Sequence, residues 1–237
     1  MSRRVPVPPE LLSSGAHPLP PDAAHYVRDV LRLKAGAEIT VFDGQGRRAS
    51  AVLREGGVVE VGVVTAAPPL PPPRVDLVCA LSKGEKLDFI VEKASEMGAR
   101  SVWPVISTRS VVQLSGEKAV ARVERWERVA EAAARQCGRD VALVIQPVRE
   151  LRDALPLITA QHKRVLTLAQ QPLTRTLPVD AESVALLTGP EGGLDGAEVA
   201  AAAAAGFVPA GLGELTLRAE TAPLVALAAV LAHAGRI

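Results

Sequence analysis

Apolar residues follow two different rhythms on either side of a proline run. Before it, Ile39 to Phe42, Arg48 to Leu53 and Val58 to Val64 are short apolar or alternating stretches. They are divided by turns at Asp43-Gly44-Gln45-Gly46 and Gly56-Gly57. Short strands parted by glycine turns predict a small β-barrel. Ahead of them, His25 to Leu33 predicts a helical turn or two, with Val27, Val30 and Leu31 on one face and Arg28 and Arg32 on another. The boundary, Ala66 to Pro73, holds five prolines in six residues. That composition favours an extended, semi-rigid spacer.

After the spacer, strand and helix patterns alternate. Val75 to Leu81 reads as a buried strand. Glu85 to Met97 reads as a helix with Leu87, Ile90, Val91, Ala94 and Met97 on one face and Gly98 as its stop. Ser101 to Ile106 is the next strand, and Glu117 to Cys137 a long helix burying Val123, Trp126, Ala130, Ala133 and Cys137. Further strands are expected near Leu143, Val165 and Val184, then at Phe207 to Leu212. The last apolar run, Ala222 to Ala232, is too short to span a bilayer and predicts a buried helix. Such alternation implies an α/β fold with a parallel sheet covered by helices.

Composition adds bounds. With 48% apolar and 22% charged residues, the chain fits an ordinary globular protein. The net charge of +1 argues against indiscriminate nucleic-acid binding and leaves room for a local basic face. There are 21 arginines against 6 lysines, a bias that suits phosphate contacts and base stacking but equally fits codon bias in a chain rich in Ala, Gly and Pro. Cys79 and Cys137 form neither a metal motif nor a disulfide framework, which fits a reducing compartment. Arg3-Arg4 precedes prolines rather than an apolar stretch, so no signal peptide is expected. His17, His25, His162 and His233 lie outside the motifs and read as structural or exposed.

The candidate chemistry lies in two loops. Val184 to Leu187 runs into Gly189-Pro190-Glu191-Gly192-Gly193, after which Asp195 and Glu198 form a capping box. No Gly-Lys-Ser/Thr follows, so the loop is not a P-loop, nor is it G-x-G-x-x-G. Alone it is equally a tight strand-to-helix turn. The second loop, Leu212 to Thr221, carries Gly213, Arg218 and Glu220, with Thr221 as the expected N-cap and Pro223 in the first helical turn. Arg218 and Glu220 read either as a surface ion pair or as polar groups aimed over a crevice. Loops at the C-terminal ends of neighbouring parallel strands make such a crevice, and glycines let backbone approach a flat ligand closely.

Together, GPEGG, AGF, LG and LR-x-ET closely resemble the RsmE family. These are SPOUT-superfamily methyltransferases acting on N3 of a uridine in small-subunit (16S) ribosomal RNA. HYVRDVLRL with VFDGQGR is similar to the family's N-terminal PUA-like barrel, and KGEKLDFIVEKASEMGARSVWPVISTRSVV and RWERVAEAAARQCGR to its catalytic domain. Family members usually read Leu-Gly-Pro-Arg where this chain has Leu212-Gly213-Glu214-Leu215, and Thr where it has Ala219. A methyltransferase for another RNA, or a non-catalytic RNA-binding protein of the same fold, are the alternatives.

The resemblance implies a PUA-like RNA-binding barrel over residues 1–67 and a SPOUT domain over 74–237, with a trefoil knot about 184–222. S-adenosyl-L-methionine would lie bent in the knot, held by Leu168, by Thr188, Gly189, Pro190, Glu191, Gly192 and Gly193, and by Leu212, Gly213, Leu217 and Thr221. A branched side chain at Gly193 is expected to intrude where backbone touches the ligand, with the fold spared if the φ of Gly193 is negative. Arg218 is the candidate stabiliser of a uridine anion, and Glu220 its orienting partner or a base. Arg28, Arg32, Lys83, Arg109 and Arg139 are the candidate RNA contacts. A homodimer in the cytoplasm, with no metal and no membrane, completes the expectation.

Overall fold

A computed structural model describes residues 3–168 and 171–237. It divides into two compact units, one made of Met1–Pro69 with Glu131–Ala142 and the other of Leu70–Ala130 with Leu143–Ile237.

The first unit is a five-stranded sheet. Strands β1 (Arg4–Pro6), β2 (Gly15–Pro18), β3 (Glu38–Phe42), β4 (Arg47–Leu53) and β5 (Val58–Ala66) are ordered β1-β3-β4-β5-β2. β1 runs parallel to β3, and the other pairs are antiparallel. Alternation in β4 buries Ala49, Ala51 and Leu53 against Val5, Val41 and Val59. Sequence pattern alone did not reveal β1 and β2, which are too short to alternate.

The helix α1 starts at Pro21 rather than His25, and its last turn, Tyr26–Val30, is a π-helix. Two prolines at 20 and 21 fix the start, because a first-turn position needs no N–H. The wider π turn sets Val30 outward, 59% exposed, so Ala23 and Val27 carry the buried face. Arg32 ends the segment at φ 51°.

Segment 131–142 belongs to this unit through its contacts. Asp140 accepts from Arg4 and, at 3.3 Å, from Arg48. The Gly46 N–H donates to the Asp140 carbonyl at 3.0 Å, and the Ala142 N–H to the Gly44 carbonyl at 2.9 Å.

The second unit carries β6 (Arg74–Ala80), α2 (Lys86–Met97), β7 (Ser101–Ile106), most of α3 (Gly116–Cys137), β8 (Val144–Ile145), β9 (Arg149–Glu150), α4 (Leu151–Ala154), β10 (His162–Leu166), β11 (Ser183–Thr188), α5 (Gly196–Ala204), β12 (Phe207–Ala210) and α6 (Ala222–His233). Its strands run parallel in the order β12-β10-β11-β6-β7-β8, with β9 also on β7.

Continuous apolar runs form the central strands because both faces are covered. Val75, Leu77 and Cys79 of β6 face α2, Trp126 of α3 and Leu227 of α6, whereas Val78 and Ala80 face Leu151 of α4 and Ala202 of α5. α2 ends as predicted at Gly98, whose φ of 85° lets its N–H return to Ala94 and Ser95 carbonyls. In α3, Trp126, Ala130 and Ala133 are buried as expected, but Cys137 is exposed. Among the described residues no helix is long and apolar enough to cross a membrane.

Candidate functional site

From β6 the chain steps outward to β7 and β8, then crosses to the other side of β6, where β11, β10 and β12 lie in that order outward. The order therefore reverses between β6 and β11. Open parallel sheets bind ligands at the carboxyl ends of strands beside such a reversal. A cavity of about 790 Å³ lies there, within the second unit. Its walls are the ends of β10, β11 and β12 with their loops, closed by Lys86 at the start of α2. This volume falls within the range that holds small cofactors.

The glycine turn and the helix start behind it shape the wall. The Gly193 N–H closes a turn on the Pro190 carbonyl at 2.8 Å. Gly193 has φ 69°, so every side chain there is strained. The condition of a negative φ for an innocuous Gly193→Val exchange is not met. Gly189 is required for a different reason: a Cβ would stand 2.8 Å from the Leu194 nitrogen. The capping box forms as expected, with Asp195 accepting from the Glu198 N–H at 2.8 Å and Glu198 from the Asp195 N–H at 2.9 Å. The Glu198 N–H, foremost, holds the Asp195 carboxyl below the usual carboxylate range.

The loop after β7 buttresses this turn. Glu198 accepts from the Thr108 N–H at 2.8 Å, and Arg109 donates to the Gly192 carbonyl at 2.7 Å. Arg109, expected to contact RNA, is thus tied to the glycine loop.

Leu168, Thr188, Gly189 through Gly193, Leu212, Gly213, Leu217, Arg218 and Glu220 all line the cavity. Thr221 does not line it, and it is no ordinary N-cap: its backbone is already helical and its side chain makes no capping hydrogen bond. The N–H groups of Thr221 and Ala222 instead bond the Arg218 carbonyl at 2.9 and 3.0 Å. The Arg218 side chain is exposed at the rim.

Lys86 was missed. Its Nζ lies 2.8 Å from Glu191 and 3.3 Å from Glu220. These bonds, Glu191 first, raise the lysine above its ordinary value, and Lys86 in turn lowers Glu191. The Glu220 carboxyl is lowered by its own backbone N–H and then by Lys86 and Arg218, against the opposing effect of burial. Glu220 Oε2 is out of solvent, and its contact with Lys86 is an ion pair without hydrogen-bond geometry.

Of the other expected RNA contacts, Lys83 and Arg32 are exposed, and Arg28 is exposed but forked onto Asp29 at 2.8 to 3.2 Å. Arg139 is half-buried, and burial pulls its guanidinium below the ordinary arginine value.

Comparison with known proteins resolves the family. Residues 69–231 match an RNA methyltransferase domain, and residues 19–57 an RNA methyltransferase PUA domain. The chain belongs to the ribosomal RNA small subunit methyltransferase E family. The enzyme of that name from Bacillus subtilis is 30% identical over 223 residues, covering 88% of this chain and 87% of the relative. The Synechocystis one is 34% identical over 250 residues, 97% and 77% of the two chains. Among solved structures, the Neisseria gonorrhoeae family member bound to S-adenosyl methionine superposes with TM-score 0.79 at 29% identity, over 98% of each chain. A Legionella pneumophila putative methyltransferase in complex with the same cofactor gives TM-score 0.79 at 30% identity, again over 98% of each. The family assignment agrees with the resemblance read from the two loops.

Proposed function

We propose that this protein is an S-adenosyl-L-methionine-dependent methyltransferase acting on N3 of a uridine in 16S ribosomal RNA, within the cytoplasm. The observation that carries the reading is the cavity at the sheet's reversal point, built from the two loops that mark the family.

The residues suit the cofactor. Leu166, Leu168, Leu212 and Leu217 give apolar walls for a flat base, and Gly189 to Gly193 give exposed backbone. Glu220 adds a carboxylate to the same wall, a fixed negative charge near a cationic ligand. Bound there, the cofactor supplies a methyl group activated by a sulfonium.

N3 of neutral uracil is a poor nucleophile, and loss of its proton spreads negative charge over both ring carbonyls. The Arg218 guanidinium, exposed at the rim, is placed to favour that anion by preorganised charge. Glu220 is held as a carboxylate by its own N–H, Lys86 and Arg218, which makes it a weak proton acceptor. Its role in this reading is to orient, and the proton leaves to solvent.

The first unit, through Arg28 and Arg32, and the second, through Lys83 and Arg109, would each contact RNA phosphates, while a splayed-out base enters the cavity. Arg139, half-buried, is the weakest of the five candidates. The return of the chain from edge strand β12 to pack α6 on β11 and β6 supports the expected trefoil knot. A homodimer remains part of the reading.

The test is transfer of labelled methyl into unmodified small ribosomal subunits with nucleoside analysis. N3-methyluridine is expected. A different methylated nucleoside would move the activity to another RNA, and no transfer with no cofactor binding would leave an RNA-binding protein.

A further inference from the structure

Lys86 stands where local helix physics disfavours it. It is the first residue of α2, at the positive end of the helix dipole, where acidic residues are preferred. A break with local preference at a cavity wall points to a role in the site. Its two partners come from separate elements: Glu191 from the loop after β11, Glu220 from the segment before α6. The lysine therefore bridges both cofactor-facing loops across the reversal of strand order.

The usual worth of an exposed ion pair is small. Here one acceptor is different. The Glu220 side chain is 19% exposed, and its Oε2, 3.3 Å from Lys86 Nζ, has neither water access nor a hydrogen bond. With Lys86 removed, that oxygen would keep a buried negative charge without its adjacent cation. The Glu220 N–H and Arg218 would still favour the carboxylate, but a buried oxygen with no cation beside it is unfavourable, so the carboxyl would turn toward solvent. Arg218 and Glu220 share one turn, bonded at the Arg218 carbonyl to the first N–H groups of α6, and would move with it.

We propose that Lys86 is a positioning residue that pins the glycine loop to the Arg218–Glu220 turn and so sets the turn's geometry for methyl transfer. The proposal rests on the methyltransferase reading above.

The experiment compares wild type with Lys86→Met, Lys86→Arg, Glu220→Gln and the Lys86→Met/Glu220→Gln double variant. Rates at saturating cofactor and RNA are read beside the cofactor Kd by calorimetry. Lys86→Met should lower the saturated rate about tenfold or more, a usual consequence of misplacing a group near the chemistry, with Kd within a few fold. Lys86→Arg should restore most of the rate. The two single losses should be non-additive, as for groups acting through one contact.

A second readout needs no activity: in the ligand-free protein, Lys86→Met should speed amide exchange at Thr221 and Ala222, and Lys86→Arg should not. Lys86→Gln serves in the same comparison if the methionine variant folds poorly. An active wild type with Lys86→Met at full rate overturns the pin alone. A raised Kd with the saturated rate kept, additive losses, or unchanged amide exchange would do so too. A wild type that transfers no methyl overturns the functional reading and this proposal with it.

Discussion

Gly189→Ala isolates the tightest point of the cavity wall. The added Cβ would lie 2.8 Å from the Leu194 nitrogen, 2.9 Å from the Gly193 carbonyl carbon and 3.0 Å from its Cα. Ordinary contact begins at 3.4 Å, so the nearest neighbour is overlapped by more than half an ångström, and all three are backbone. No side chain can swing aside to relieve it. Overpacking of this kind costs about 1–3 kcal/mol. For a chain of this length that lowers Tm by roughly 2–12 °C, at about 2–4 °C per kcal/mol. Relief requires the Gly193–Leu194 backbone to move away, and this is the wall the cofactor would touch. Loss of one well-made backbone contact to the ligand, worth about 1.4 kcal/mol, is tenfold in affinity, so the cofactor Kd should rise about tenfold or more. Calorimetric titration with S-adenosyl-L-methionine and thermal melting measure the two effects. Gly193→Asn is the comparison for stability. At φ 69° with no heavy atom within 4 Å of its Cβ, position 193 suffers conformational strain only, and asparagine tolerates that region best among side chains. Wild-type affinity and Tm in Gly189→Ala, or a larger Tm loss in Gly193→Asn, would refute the steric argument.

Arg218→Ala should cut the methylation rate by roughly 10² or more while leaving cofactor affinity within a few fold, with partial recovery at higher pH where more uridine is ionised; a large rise in Kd with the rate intact would make Arg218 a cofactor-side residue. Burial pushes the Cys79 thiol up to about 12, so iodoacetamide should label the folded protein once, at exposed Cys137, and a second label without denaturant would contradict the buried strand. Glu191 and Glu220 both sit below the ordinary glutamate value of 4.5, so the stability they contribute is complete above that pH and is lost as pH falls through their lower folded values. Tm should hold from neutrality to about pH 5 and fall on further acidification; a Tm that rises below 4.5 would reverse the sign.

What could be read from the sequence was what local pattern encodes. The strands of the parallel sheet, the Gly98 stop and the Asp195–Glu198 box depend on residues a few positions apart, and each formed. The two loops were legible because glycine, proline and charge cluster there. Lys86 was not, because its partners lie 105 and 134 positions away. Lys83, its neighbour in the same Lys-Gly-Glu-Lys run, was the one expected to contact RNA, and it is exposed. Arg109, expected as a cation for RNA, also makes a hydrogen bond that local pattern could not show, to a carbonyl 83 residues on. Thr221 failed as a cap because its own backbone is already helical rather than extended, and Pro223, at the second helical position, has no N–H to offer its side chain. Val30 failed as a core residue because a π turn, invisible to a 3.6-residue period, rotated it outward.

The inclusion of residues 131–142 in the first unit has a consequence for dissection of the molecule. That unit is discontinuous in sequence, so no single cut yields it whole. A fragment beginning after the proline run would keep Asp140 but lose Arg4 and Arg48, and would leave Ala142 without the Gly44 carbonyl. A fragment ending before the run would lose the same contacts from the other side. Conversely, a protease that nicks Pro68–Pro73 severs the chain without severing the unit, since these hydrogen bonds still join the two pieces. A transplant of the N-terminal unit would therefore have to carry residues 131–142 with it to keep these bonds.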